Sequence, residues 1–246
     1  MTYTVKAPTT PALGLIVLRV DETIEQDFRT LIPPQAARLH ISRVNAGDDL
    51  NPETIHDMGT QLTTAAALLP KGADFDVVGY ACTSATAQLG ADAVRTHITA
   101  GIRARHVTDP LTAALAQIKS LGLHRVGILS PYTPAVAAPI QRAFHAAGIA
   151  VPDTLSFNES TEARVARIDP AATYAAAKTL ARRTSLDGLF LSCTNLQTLP
   201  ILQPLQAALN IPVLSSNQAL AWHMTQLAGI DVRAAQSQSA HPAARR

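Results

Sequence analysis

Phe75-Asp76-Val77-Val78-Gly79-Tyr80-Ala81-Cys82-Thr83-Ser84 and Leu186-Asp187-Gly188-Leu189-Phe190-Leu191-Ser192-Cys193-Thr194-Asn195 decide how this chain is read. Each is an apolar run of strand length that closes on a cysteine followed by threonine. Continuous apolar runs, rather than alternating ones, are the mark of parallel strands buried on both faces. The chain has only two cysteines, one in each half of its 246 residues. The same kind of strand end occurring twice suggests a duplicated α/β fold with paired reactive groups. Beyond the Cys-Thr contexts the halves share little residue identity, so a chance match of two α/β repeats stays open.

Outward from these runs, strand-length apolar segments alternate with Ala-rich stretches of helical length, the βα signature. Strands are expected at 13–19, 38–43, 75–80, 125–129, 188–191 and 212–214, with weaker ones at 105–107 and 149–155. Helices are expected at 53–69, 84–97, 109–121, 133–147, 170–184, 199–209 and 218–228. Gly122, Gly148, Gly188 and Gly229 fall at or near helix-to-strand junctions, where a left-handed residue commonly ends a helix. Ser130-Pro131-Tyr132-Thr133-Pro134 follows a strand, and its second proline suits the first turn of a helix. That makes it a loop at the carboxyl edge of a sheet, where open α/β sheets bind ligands. Two lobes of roughly 100 to 120 residues fit better than one large domain. The segment 232–246 is polar, lacks apolar periodicity and reads as a disordered tail.

Hydrophobic residues make up 47% of the chain and charged ones 15%, which fits buried parallel sheets and excludes a disordered or fibrous protein. With a net charge of +2, scattered Lys and Arg and 4% aromatics, neither the electrostatic footprint nor the stacking platform of a nucleic-acid binder is present. The N-terminus lacks a signal-peptide pattern, and no apolar stretch is long enough to span a bilayer, so a cytoplasmic protein without membrane contact is expected. In that reducing compartment the two distant cysteines read as free thiols. No Gly-x-Gly-x-x-Gly follows the first strand and no phosphate loop occurs, which disfavours nucleotide cofactors. Cys-x-x-Cys and His-Glu-x-x-His are absent and the eight histidines are dispersed as surface or packed residues, so no metal is expected.

Each thiol is expected at a strand end just before a helix, where free N–H groups and the helix dipole favour an anion. A free thiol has a pKa near ~8.5, and a dipole worth roughly 1 to 2 kcal/mol lowers it by about one unit. If both thiols face one pocket, the first thiolate opposes ionisation of the second, leaving one base and one acid for two-sided proton transfer. The same N–H groups can instead bind a substrate carboxylate and stabilise an enolate as the α-proton leaves. Thr83, Ser84, Thr194 and Asn195 add side-chain donors. A single buried cysteine is usually core and these hydroxyls can serve as helix caps, but two cysteines followed by polar residues at the ligand-binding edge favour catalysis.

At these residues the chain resembles a known family. Gly14-Leu15-Ile16-Val17 with Asp21-Glu22-Thr23-Ile24-Glu25, Ala81-Cys82-Thr83-Ser84-Ala85-Thr86, Pro131-Tyr132-Thr133, Ser192-Cys193-Thr194-Asn195 and Ser216-Asn217-Gln218-Ala219 resemble the aspartate/glutamate racemase superfamily. Within it, the branch of maleate cis-trans isomerase, arylmalonate decarboxylase and the ectoine-utilisation racemase-like proteins fits best, the last group most of all. The resemblance implies two flavodoxin-like α/β lobes with parallel sheets, related by a pseudo-twofold, and a cofactor-independent site in the cleft between them. The expected lobes are 9–115, completed by a C-terminal helix at 216–231, and 116–215. It implies that Cys82 and Cys193 face each other across a small carboxylate, with Thr83, Ser84, Tyr132, Thr133 and the backbone around Thr194 and Asn195 holding carboxylate oxygens. Arylmalonate decarboxylases carry glycine at the first cysteine position, and the presence of Cys82 argues against that activity. Maleate isomerases have an asparagine where this chain has Asp21; an ionised Asp21 would repel a second carboxylate but accept a hydrogen bond from an ammonium or amide, unless it is simply a helix N-cap. Asn158 matches a further isomerase asparagine.

The expected function is therefore racemisation or related isomerisation of an amino acid or N-acylated amino acid by two-cysteine proton transfer, in ectoine breakdown. The alternatives are maleate-type cis-trans isomerisation through a covalent cysteine adduct, and a non-catalytic carboxylate-binding module. A homo-oligomer, dimer or higher, is expected from the Ala-rich helices and the resemblance.

Overall fold

The computed structural model describes residues 1–49 and 51–232. The first half runs β1 (Ala12–Leu18), α1 (Ile24–Leu31), β2 (Arg38–Val44), α2 (Pro52–Ala67), β3 (Phe75–Ala81), α3 (Thr83–Leu89), α4 (Ala91–Gly101), β4 (Ala104–Thr108) and α5 (Pro110–Ser120). The second half runs β5 (Val126–Ser130), α6 (Pro134–Ala146), β6 (Thr154–Ser156), α7 (Glu162–Val165), α8 (Pro170–Arg183), β7 (Gly188–Leu191), α9 (Leu202–Leu209), β8 (Val213–Ser215) and α10 (Ser216–Leu227). The fold is α/β, with two four-stranded parallel sheets ordered β2-β1-β3-β4 and β6-β5-β7-β8.

Counted within its own half, each sheet has the same order: second strand, first, third, fourth. Each cysteine follows the third strand. The repeat that is faint in residue identity is therefore complete in topology. The strands owe their burial to sequence: every residue of β1, β5 and β7 is buried, as uninterrupted apolar runs covered by helices on both faces require. The last helix crosses back. α10 leaves the second sheet and packs on α1, α5 and β3 of the first half, where Met224 Sδ lies 2.7 Å from the place a Cβ on Gly79 would occupy. Gly79 thus lets α10 sit directly on the strand that leads to Cys82.

The structure departs from the sequence reading at several places. The single helix expected over 84–97 is two, because Gly90 takes φ 88° and breaks α3 from α4. The strand expected at 149–155 shrinks to β6: Pro152 has no N–H to give the ladder, and before it only an isolated bridge joins Arg125 to Ala150. The helix expected from 199 starts as a 3-10 turn, Leu199–Ile201, and becomes α-helical at Leu202. Gly122, Gly148 and Gly229 do take positive φ after α5, α6 and α10, whereas Gly188 opens β7, with Leu123 packed where its side chain would be. The short helix α7 was not expected, and α1 only as the helix that Asp21 would cap. The expected tail lies, beyond Val232, outside the described residues. Among the described residues no helix is long and apolar enough to cross a membrane.

α4 crosses α2 so closely at Gly101 that a Cβ there would collide with the Thr63 carbonyl and crowd Ala66. Gly101→Ala should therefore cost about 1–3 kcal/mol by overpacking. Gly72→Ala adds a methyl with nothing within 4 Å and should leave stability unchanged or slightly raised; urea unfolding of both variants measures the contrast.

Candidate active site

All the groups of the site follow the carboxyl ends of strands: Asp21 after β1, Cys82 after β3, Tyr132 after β5, Glu162 after β6, Cys193 after β7 and Ser216 after β8. This is the edge at which parallel sheets gather ligands, and here two such edges meet. Cys82 is the N-cap of α3 in extended backbone; its sulfur accepts the Ala85 N–H at 3.4 Å and lies 3.6 Å from Ser84 Oγ. Cys193 holds φ 125°, a region rarely entered by side-chain-bearing residues and worth about 1–3 kcal/mol of strain. The Cys193 N–H donates to Ser216 Oγ at 3.0 Å, and the same hydroxyl is 2.8 Å from Thr83 Oγ1. Thr194 Oγ1 donates to the Ala81 carbonyl at 3.3 Å. The neighbours of one cysteine are therefore bonded to the neighbours of the other. Tyr132 lies within electrostatic reach of both Cys193 and Cys82.

A second layer closes this cluster. Asn195 Oδ1 accepts the Glu22 N–H at 2.9 Å, and its Nδ2 donates to Glu162 Oε2 at 2.9 Å and to the Glu162 carbonyl at 3.2 Å. It laces the loop after β1 to α7. Asp21 Oδ1 caps α1 by accepting the N–H groups of Thr23 and Ile24 at 2.9 Å each, while its Oδ2 is buried without a protein partner. The loop after β2 clasps α7 from outside, where the Glu162 N–H donates to the Asp48 carbonyl and Asp49 bridges Thr161. Asn217 Nδ2 donates at 2.8 Å to both Asp27 Oδ2 and the Thr194 carbonyl. None of Asp21, Cys82, Tyr132, Glu162 and Cys193 exceeds 4% exposure. An open hollow of about 420 Å³ between the loop after β1 and α7 has Glu22, Thr23, Asp27, Ala166 and Arg167 in its walls.

Burial governs the protonation of every group here. It pushes the Cys82 thiol up to about 11 against the help of Ser84 and Ala85, with the charges of Glu162 and Asp21 adding to the rise. Cys193 is pushed up by burial and then by Glu162, against the Tyr132 hydroxyl and the Asn195 N–H. Burial lifts Glu162 to about 7, opposed by Asn195 and reinforced by Asp21, and lifts Asp27 to about 6. Asp21 is raised by burial despite its two N–H donors; the Thr194 hydroxyl steadies it from nearby while donating to Ala81. The expected lowering of the thiols is thus overturned. α3 offers Cys82 one long N–H contact, Cys193 precedes turns rather than a helix, and two carboxyls oppose any thiolate.

Of the residues singled out in the sequence, the structure gathers Cys82, Cys193, Asp21, Thr83, Ser84, Tyr132, Thr194 and Asn195. Asn195 is committed to lacing, and Thr83 and Thr194 to joining the cysteine loops, rather than standing free as donors. Asn158 is not brought in: it is exposed at φ 57°, on a turn whose Ser156 Oγ donates to the Tyr132 carbonyl. Thr133 is half-buried and starts α6 without a side-chain cap bond. Glu162, Ser216 and Asn217 were missed as site residues. Ser216 and Asn217 stood in a quoted motif, whereas Glu162 opens a four-residue helix that leaves no periodicity to read.

Residues 65–240 match the model of the arylmalonate decarboxylase family. The maleate isomerase of Geobacillus stearothermophilus is 26% identical over 219 residues, 83% of this chain and 86% of that protein. The maleate isomerase of Alcaligenes faecalis is 25% identical over 236 residues, 90% of this chain and 92% of that one. A mutant of Nocardia farcinica maleate cis-trans isomerase with a covalently bound succinylcysteine intermediate superposes with a TM-score of 0.79 at 22% identity, covering 89% of this chain and 92% of that one.

Glu162 should leave a mark on stability. Its folded pKa of about 7 lies above the ordinary 4.5, so between those values the native state keeps a proton that the unfolded chain has lost. Stability from this group is complete below that window and falls as pH rises through it. Glu162→Gln, whose amide oxygen can still accept from Asn195, should therefore gain on the wild type between about pH 4 and about pH 8 in urea unfolding.

Proposed function

The chain belongs to the arylmalonate decarboxylase and maleate isomerase family, a branch of the aspartate/glutamate racemase-like superfamily, and on that premise we propose that it is a cofactor-independent isomerase of a small carboxylate acting through Cys82 and Cys193. The observation that carries this reading is the convergence of both thiols on one buried cluster with Tyr132, with Ser216 joining their loops. The decarboxylation in the family's description is not assigned, because Cys82 stands where glycine serves that reaction in the resemblance.

In the leading form the reaction is racemisation or epimerisation. One thiolate takes the α-proton; the electron pair of the broken C–H bond passes into the substrate carboxylate, held by N–H groups and Tyr132. The opposed thiol then gives its proton to the other face and is left as thiolate, so the pair ends in the mirror state and serves the reverse direction. Coupled thiols favour this one-base, one-acid condition. Because burial keeps both protonated at rest, the thiolate forms only with substrate in place. Asp21 supports an amino acid or N-acylated amino acid as substrate, as in ectoine breakdown.

The second reading is cis-trans isomerisation of maleate. It is favoured by the two maleate isomerases above and by the succinylcysteine found in the Nocardia protein. Here a thiolate adds to the alkene, the new single bond rotates, and the adduct's electron pair reforms the double bond as the thiolate leaves.

Heavy water separates the two. Racemisation incorporates deuterium at the α-carbon of recovered substrate, whereas addition and rotation convert maleate to fumarate through a cysteine adduct visible by mass spectrometry. Cys82→Ser and Cys193→Ser should each lower turnover on the order of 10²–10⁴-fold. Activity surviving both replacements would sink either reading.

A further inference from the structure

The φ of 125° at Cys193 is strain of a kind that persists only where the surrounding bonds over-determine it. Three bonds fasten this turn. The Cys193 N–H donates to Ser216 Oγ at 3.0 Å, Thr194 Oγ1 donates to the Ala81 carbonyl at 3.3 Å, and the Thr194 carbonyl accepts from Asn217 Nδ2 at 2.8 Å. Two of the three come from Ser216 and Asn217, the first two residues of α10, which thereby grip the chain before and after the sulfur-bearing residue. The grip of Asn217 depends on which way its amide faces. The same Nδ2 donates to Asp27 Oδ2 at 2.8 Å, so both amide hydrogens are in use. Its Oδ1, among the described residues, is buried without a protein partner. Turned round, the amide would set that oxygen against a carboxylate and a carbonyl, two acceptors with no hydrogen between them. Asp27 therefore dictates the orientation that holds Thr194. It sits on α1, which packs on α10, and stands in the wall of the outer hollow. Burial lifts its carboxyl to about 6 although Asn217 opposes the rise, so this acid is kept in the interior at a cost to the fold. The proton transfers above make no use of it.

Resting on the two-thiol reading, we propose that Asp27 and Asn217 are positioning residues for Cys193: Asp27 fixes the Asn217 amide, the amide holds the Thr194 carbonyl, and the held carbonyl keeps Cys193 in its strained turn. Neither residue touches the substrate. The role needs an acceptor at position 27, not a charge, so an amide there serves and an apolar side chain of similar size does not. It also concerns one thiol only. Cys82 is placed separately, as the N-cap of α3 in extended backbone with the Ala85 N–H on its sulfur.

The experiment alkylates the full chain with iodoacetamide and follows both cysteines by peptide mass spectrometry. Reading Cys193 against Cys82 in the same molecules cancels any change in how readily the site opens. Asp27→Leu and Asn217→Ala should each raise the Cys193-to-Cys82 rate ratio about 10-fold, the worth of one lost hydrogen bond. The double variant should go no further than either alone, because the two residues form one linkage. Asp27→Asn should stay within about threefold of the wild type. Urea unfolding sets aside any variant that fails to fold, and the Asp27 pair decides if Asn217→Ala does. On whichever of aspartate, glutamate and maleate the wild type turns over, Asp27→Leu should lower kcat about 10- to 100-fold with KM little changed, and Asp27→Asn should restore it. The assignment is overturned if the ratio is unmoved in Asp27→Leu, or if Asp27→Asn shifts it as far as Asp27→Leu. A raised ratio with undiminished turnover sinks the two-thiol reading instead, since Cys193 is then free without loss.

Discussion

One hydroxyl, that of Ser216, holds the two halves of the site in register. It sits at the end of the last strand, accepts the N–H of Cys193 and meets Thr83 beside Cys82. Each half alone is an ordinary parallel sheet whose carboxyl edge would be open to water. Set edge to edge, the sheets exclude water from both thiols, and the exclusion rests on a few directional bonds: Ser216 in the middle, Thr194 to Ala81 beside it, and Asn195 across the rim. α10 starts at Ser216 and returns to the first sheet, so the chain itself ties the joint that its side chains close.

The electrostatics follow from that closure. At a strand end exposed to solvent, a helix N-terminus would stabilise a thiolate and the carboxyls nearby would be screened. Inside, the cost of removing charge from water exceeds what one N–H can return, and both thiols and both acids are driven toward their neutral forms. The resting site therefore stores protons rather than charge.

The α/β class and the paired position of the cysteines were legible because long apolar runs leave no other reading, and because Cys-Thr recurs after the third strand of each sheet. The shared strand order was not visible in residue identity, since a packed strand constrains volume and apolarity more than the particular side chain. What stayed hidden is local and short. Gly90 broke a helix whose composition is helical throughout, Pro152 trimmed a strand, and α7, four residues long, carried Glu162 with no pattern around it. The direction of the thiol shifts was misjudged for a related reason: a dipole can be read from a sequence, but the degree of burial that outweighs it depends on contacts between residues far apart along the chain.

The closed rim has a kinetic meaning. Arg167 pairs with Glu22 across the loop after β1 and α7, Asn195 stitches the same two segments, and Asp48 and Asp49 clasp α7 from the far side. While these hold, both sulfurs stay almost wholly out of solvent. A molecule bound at the sulfurs would have to part this rim on arrival and again on departure.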